Sequence, residues 1–485
     1  MNTSRYLLAV ALIATVTACR EDSDDSGSLG VSSVGADETE IVQNPADTPP
    51  SEDAPVDDQS EAEPPVTPPS SGDDGQGSEP PPPPPEAKLD IDGLPLPDLS
   101  ASHDYEGYLK AQPKYYTRIT SPFGNVDSQD NTPFGNKVTN AGANLGRVIF
   151  YDVRLSANNT VACASCHIQE HGFTDPKTFS DGFDGGKTGR HSMSLSNAAY
   201  YRNGKFFWDE RADTLEDQVL MPIQDSVEMG MNLFDLEVKM AETSFYADLF
   251  TAAFGDEAIT SERISRALAQ FIRTMISYES KYDQAFVAGE WDEPDFAAVF
   301  SEQEMLGLRL FSGFPGSERD SLGCIACHQT SAHSMDQAHV NGLDGDNGSD
   351  QGAGNGFFKS PSLRNIGVGA PYMHDGRFET LMDVVEFYNS GIQRHRILSS
   401  DLTSNGQVGG RPIRMNLSQE EKEALVSFLE ALTDETFLNN PIYHDPFFPN
   451  TVEGQLQAII DQVTEQQDSE QQGSEHSSDG DESSQ

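Results

Sequence analysis

Two short strings hold the residues best suited to chemistry: "CASCH", with Cys163, Cys166 and His167, and "CIACH", with Cys324, Cys327 and His328. A Cys-x-x-Cys-His can serve a covalent haem, a zinc ion or a redox dithiol. In the haem case each thiol forms a thioether to a porphyrin vinyl group and the adjacent histidine is the proximal iron ligand. A zinc site of four cysteines does not require a histidine directly after each pair. A redox dithiol needs neither the second copy nor the histidine. The fifth and last cysteine, Cys19, ends a leader-like segment. The pattern therefore points to two covalently bound haem c groups, held by Cys163, Cys166 and His167 and by Cys324, Cys327 and His328. No structural disulfide is left to form.

The two motifs sit in a duplicated frame. "NLGRVIF" ends at Phe150 and "MLGLRLF" ends at Phe311, and Leu145-Gly146 and Leu306-Gly307 precede their motifs by the same distance, a common offset of 161 residues. Each copy reads as a helix, a loop and then the haem site. Ser301 and Glu304 form a capping-box pattern opening the second helix, and Ser418 with Glu421 opens another. Over 261–280, Ile264, Ala267, Leu268, Phe271 and Met275 keep helical spacing. Strand patterns are scarce. The expected fold is mainly α: two tandem cytochrome-c-like haem domains, at 96–295 and 296–450.

A chain of 485 residues is long enough for two such domains. It opens with Arg5, an apolar run from Tyr6 to Ala14 and "VTAC" ending at Cys19. That run is too short to span a bilayer and has the order of a secretory signal, 1–19, whose end resembles a lipoprotein box. Residues 20–95 form an acidic, Pro-rich segment that cannot bury a core and is expected to be a disordered linker, with six prolines at Pro80–Pro85. An acidic tail spans 451–485. The net charge is −49, and 53 acidic against 27 basic residues in 89–454 leave the body itself near −26. Such a charge disfavours nucleic acid as a partner and favours a solvated surface or a basic protein. The expected location is the periplasm or cell envelope, with a lipid anchor to the outer membrane as the only membrane attachment.

Beyond the haem motifs, three strings stand out: "FFWDERADTLEDQVLMPIQDSVEMG" (206–230), "SPSLRNIGVGAPYMHDGRFETL" (360–381) and "VVEFYNSG" (384–391). With them, residues 130–450 resemble the bacterial dihaem cytochrome c peroxidase family, which includes the MauG enzymes. The resemblance implies that the His167 haem meets peroxide and the His328 haem passes electrons. It implies that Glu228, in "PIQDSVEM", is the catalytic carboxylate, with Gln218 as an orienting amide and Trp208 as a relay between the haems. A carboxylate above an open iron can take a proton from one peroxide oxygen and return it to the other. Many of these peroxidases carry a displaceable histidine ligand where this chain has Phe183, so the first haem is expected to be open; His171 and His191 read as loop or polar histidines. The distal ligand of the second haem is implied to be Tyr388, as in the MauG type, in place of a methionine such as Met335, Met373 or Met382. Tyrosinate lowers an iron potential whereas methionine raises it. His374 matches a family histidine near the haem pair. The family's interdomain calcium takes an Asn from an Arg-Asn pair; here the pair is Arg190-His191, which counts against calcium.

The resemblance implies an oxidoreductase that reduces hydrogen peroxide to water, with electrons from a small cytochrome c or copper protein passing through the C-terminal haem to the N-terminal one. Its alternative is a MauG-like oxidase of Tyr or Trp residues on a protein partner. A pure electron carrier would have no use for Glu228, Gln218 or an open iron.

Overall fold

In the computed structural model, the described residues are 89–90, 93–117, 125–289, 293–312, 322–334 and 337–447. The leader at 1–19 with Cys19, most of the linker, the tail at 451–485 and Met335 lie outside them. All described residues belong to one unit, Pro80–Gln485. They contain helices, tight turns and isolated bridges, and no strand.

Seven helices position the site: α1 Asn140–Tyr151, α2 Leu215–Gln218, α3 Met221–Gln224, α4 Ser261–Arg273, α5 Glu302–Ser312, α6 Leu381–Glu386 and α7 Gln419–Glu430. Their starts are written in their caps. The side chains of Thr139, Thr214, Thr260, Thr380 and Ser418 accept from backbone N–H groups of the first turns of α1, α2, α4, α6 and α7. Ser301 and Glu304 exchange reciprocal bonds ahead of α5, and Ser418 and Glu421 do so at α7, as their spacing predicts.

The duplication is physical. α1 packs on α4 and α5 packs on α7, with a glycine at each crossing. A Cβ added at Gly146 would overlap the Ala267 carbonyl and stand 2.7 Å from Phe271 Cβ; one at Gly307 would overlap the Ala424 carbonyl and stand 2.7 Å from Phe428 Cβ. The Leu-Gly pair of each repeat therefore lets two backbones touch. Around α1 and α4 lies one apolar cluster including Leu145, Phe150, Leu268 and Phe271, to which Phe437 and Tyr443 return from the C-terminal end. Around α5 and α7 lies a second, including Leu308, Phe311, Leu425 and Phe428.

One element differs from its expected extent. Helical spacing runs through 261–280, yet α4 ends at Arg273. Thr274 donates its hydroxyl to the Phe271 carbonyl at 2.6 Å, and the backbone leaves the helix at a β-branched pair, Thr274 and Ile276. Met275 stays fully buried just past the end.

Candidate functional site

Each Cys-x-x-Cys-His motif begins as a single 3-10 turn, Cys163–Ser165 and Cys324–Ala326. The His167 backbone N–H bonds to the Cys163 carbonyl and that of His328 to the Cys324 carbonyl. The loop after each histidine closes on an isolated bridge, Ile168 with Thr174 and Gln329 with Ser334. Inside that loop, His167 Nδ1 donates to the Phe173 carbonyl at 2.8 Å, and His328 Nδ1 donates to the His333 carbonyl at 3.2 Å. Phe173 and His333 both hold left-handed backbone, with φ of 60° and 51°, which turns their carbonyls to the rings. Fixing Nδ1 as the donor leaves Nε2 as the ligating atom. Burial also lowers both imidazole pKa values, that of His328 to about 4. A neutral ring is the form that binds a metal. Phe150 of α1 and Phe311 of α5 lie against these rings at 6.5 and 6.4 Å.

The thiols answer the question their spacing leaves open. Within neither pair are the sulfurs joined. Burial pushes Cys163 and Cys324 up to about 12 and Cys166 and Cys327 up to about 11. A redox dithiol needs a lowered thiol pKa. Among the described residues no group of three His, Cys, Asp or Glu is arranged to hold a metal ion, as a zinc site would require. Neutral, unpaired thiols beside an oriented imidazole fit haem c.

Cys166 and His167 open onto a cavity of about 640 Å³ whose wall also carries Trp208, Gln218, Pro222 and Glu228. The sequence-predicted residues of the first site are thus brought together. Glu228 is half-buried; burial and then the nearby Asp225 carboxylate push its carboxyl above the usual range, and Arg211 partly offsets this. Phe183 does not line the cavity. Its ring lies over Gly230, where an added Cβ would stand 2.5 Å away, and its N–H donates to the Glu228 carbonyl at 3.0 Å. It braces the glutamate's segment. His171 Nδ1 points at the Val368 carbonyl at 3.3 Å, and His191 is bonded through Nδ1 to the Lys177 carbonyl and through Nε2 to Thr174.

At the second motif, Tyr388 lies in a π-helical turn, Phe387–Gly391, that continues α6. Such turns occur frequently at functional sites. Asn389 holds it open, donating to Glu386 and accepting from the Leu417 N–H at 2.9 Å. Burial pushes the Tyr388 phenol up to about 12, a hydrogen bond with the Asn341 side chain opposes this, and Cys324 and Cys327 both act on it. Tyr388 therefore lies within electrostatic reach of the second motif's thiols. Met373 and Tyr388 pack against one small apolar cluster.

A second internal register went unread in the sequence. The bridges Phe206–Ala212 and Tyr372–Phe378 stand 166 residues apart, measured from Phe206 to Tyr372. In that register "FFWDERADTL" overlays "YMHDGRFETL", Phe207 and Met373 share positive φ, and Thr214 and Thr380 both cap helices. Trp208 overlays His374, and Pro222 overlays Tyr388. The first two meet edge-to-face at 6.5 Å. Trp208 Nε1 donates to the His191 carbonyl at 2.8 Å, and the His191 N–H donates to the His374 carbonyl at 2.8 Å. His374 stacks on Phe358 at 3.8 Å. Arg190, of the Arg190-His191 pair, is bonded to Asp209 and Asp350.

A helical body with two matched Cys-x-x-Cys-His cradles defines a protein with two c-type haem sites. The family model for di-haem cytochrome c peroxidase matches residues 140–292. Over 310 residues the chain is 31% identical to the methylamine utilization protein MauG of Methylophilus methylotrophus, covering 62% of this chain and 84% of that protein. It is 28% identical over 318 residues to the cytochrome c551 peroxidase of Nitrosomonas europaea, covering 63% and 83%. A solved MauG-like protein associated with microbial copper homeostasis superposes with a TM-score of 0.57 at 29% identity, covering 70% of this chain and 99% of that one. The chain belongs to the di-haem cytochrome c peroxidase and MauG family of haem enzymes.

Proposed function

We propose that this chain reduces hydrogen peroxide at the His167 haem, with electrons entering at the His328 haem. The observation that carries the reading is the asymmetry of the repeat: Pro222, which has no donor atom for iron, stands in the cavity wall at the position that Tyr388 takes in the second copy. Cys163, Cys166 and His167 would hold one haem, and Cys324, Cys327, His328 and Tyr388 the other. Bound haem supplies an iron that binds peroxide at the first site and exchanges electrons at both. Glu228 takes a proton from one peroxide oxygen and returns it to the other, so that water leaves. The raised carboxyl pKa suits a group that must both accept and donate. Gln218 orients the peroxide through its amide. Trp208, fixed by its indole bond, carries electrons between the sites. The pairing of Arg190 with Asp209 and Asp350 counts against calcium there.

Tyr388 and the place of Phe183 favour a second outcome of the same chemistry, oxidation of Tyr or Trp residues on a protein partner, as in MauG. In both cases the protein works in the cell envelope, exported by its leader and tethered through Cys19. Spectra of the as-isolated holoprotein test the site assignment. One high-spin and one low-spin ferric haem are expected; two low-spin haems would refute the open first site.

A further inference from the structure

Three residues at or beside the cavity, Tyr201, Glu210 and Lys359, have no part in that chemistry. Tyr201 is 3% exposed and lines the same cavity as His167 and Trp208. Its phenol donates to the carboxylate of Glu210. The other tyrosine in the wall, Tyr200, donates to the neutral amide oxygen of Gln112. Tyr201 thus has what an oxidisable phenol needs and Tyr200 lacks: a base already bonded to its proton.

Glu210 is an unexpected residue at its position. Its φ is 54°, left-handed backbone that disfavours any side chain with a Cβ. The matching position of the second repeat, Gly376, is a glycine with φ of 61°. A glutamate here strains the backbone, and what it adds is a carboxylate on Tyr201, with Asn203 Nδ2 at 3.5 Å. Lys359 completes the group: it is 8% exposed, its Nζ lies 3.5 Å from the Tyr201 ring centroid, and its backbone N–H donates to the Trp208 carbonyl at 2.9 Å. Tyrosine, lysine and tryptophan share one wall.

We propose that Tyr201 is a third redox station of this chain, oxidised by one electron to a neutral tyrosyl radical while its phenolic proton passes to Glu210. The inference rests on the peroxide reading above. Hydrogen peroxide is the oxidant: the electron leaves Tyr201 for the peroxide-oxidised haem site. The phenol O–H bond breaks, an O–H bond forms on the Glu210 carboxylate, and one of the two oxidising equivalents is stored. A later electron, with return of the proton, restores the phenol. The station holds an oxidising equivalent on a buried, defined side chain when the electron donor is slow.

The test uses the full-length protein with both haems attached, mixed with hydrogen peroxide without reductant and frozen for electron paramagnetic resonance. A radical signal is expected that narrows when the protein carries ring-deuterated tyrosine. Tyr201→Phe should remove it, and Glu210→Gln should lower its yield by at least about tenfold. Glu210→Gly keeps the Tyr201 ring and relieves the backbone, so loss of the signal there is not a folding defect; haem absorption reports loading in every variant. A signal indifferent to tyrosine deuteration, or one that survives in Tyr201→Phe or at full yield in Glu210→Gly, overturns the inference. If peroxide changes the haem absorption with no tyrosyl signal, the inference alone falls. If peroxide changes nothing, the peroxide reading falls with it.

Discussion

Glu228 was legible only through the family strings around it; as one of 79 acidic residues it carries no signal of its own. Its setting suits the role proposed for it: burial and Asp225 raise a carboxyl that shares a cavity with His167. Glu228→Gln keeps the shape and removes the base, so reaction with peroxide should slow by about 10²-fold or more in stopped-flow absorption. An unchanged rate would leave Glu228 without a catalytic role. Tyr388→Phe should convert the low-spin ferric spectrum of the second haem; an unaltered spectrum would remove Tyr388 as its ligand. The cradle histidines were fully legible, since Cys-x-x-Cys-His fixes them locally. Lys359, Tyr201 and Glu210 were not: Tyr201 and Glu210 lie only nine residues apart but carry no motif, and Lys359 reaches Tyr201 from a segment far away in sequence.

Among the elements, the 161-residue repeat announced the helices α1 and α5 that precede the two haem motifs, and its Leu-Gly pairs proved to be the crossing points of α1 with α4 and α5 with α7. Gly146→Ala or Gly307→Ala forces a methyl group against a facing carbonyl. Each should cost about 1–3 kcal/mol and lower the holoprotein's melting temperature; a variant as stable as wild type would contradict the close crossing. The end of α4 was misread because apolar spacing continues past the last helical hydrogen bond. The 166-residue register was present in "FFWDERADTL" and "YMHDGRFETL" but hidden by substitution at Trp208 and His374. Arg190 ties three chain segments by pairing with Asp209 and Asp350. Its hydrogen bonds depress Asp350 from 3.8 to about 2. That stabilisation is present above the unfolded carboxyl's pKa and is lost as pH falls through about 2. Asp350→Asn should therefore lower stability near neutral pH, with the gap to wild type closing in acid. A gap independent of pH would exclude the charge as its source.

For the whole molecule, the class and family follow from both haem motifs, the helical body and the relatives together, whereas the physiological electron donor is not encoded in the cavity. The body's charge near −26 predicts a basic donor: reduction by a small basic cytochrome should slow steeply as ionic strength rises. Rates independent of salt would remove the electrostatic contribution. No helix among the described residues is long and apolar enough to cross a membrane. The central claim is that one haem stands open because Pro222 occupies the place of a ligand. Adding hydrogen peroxide to the diferric protein, with no reductant, tests it directly by absorption spectroscopy. An immediate reaction at a high-spin haem is the predicted result; two low-spin haems that stay inert until the protein is reduced would contradict it.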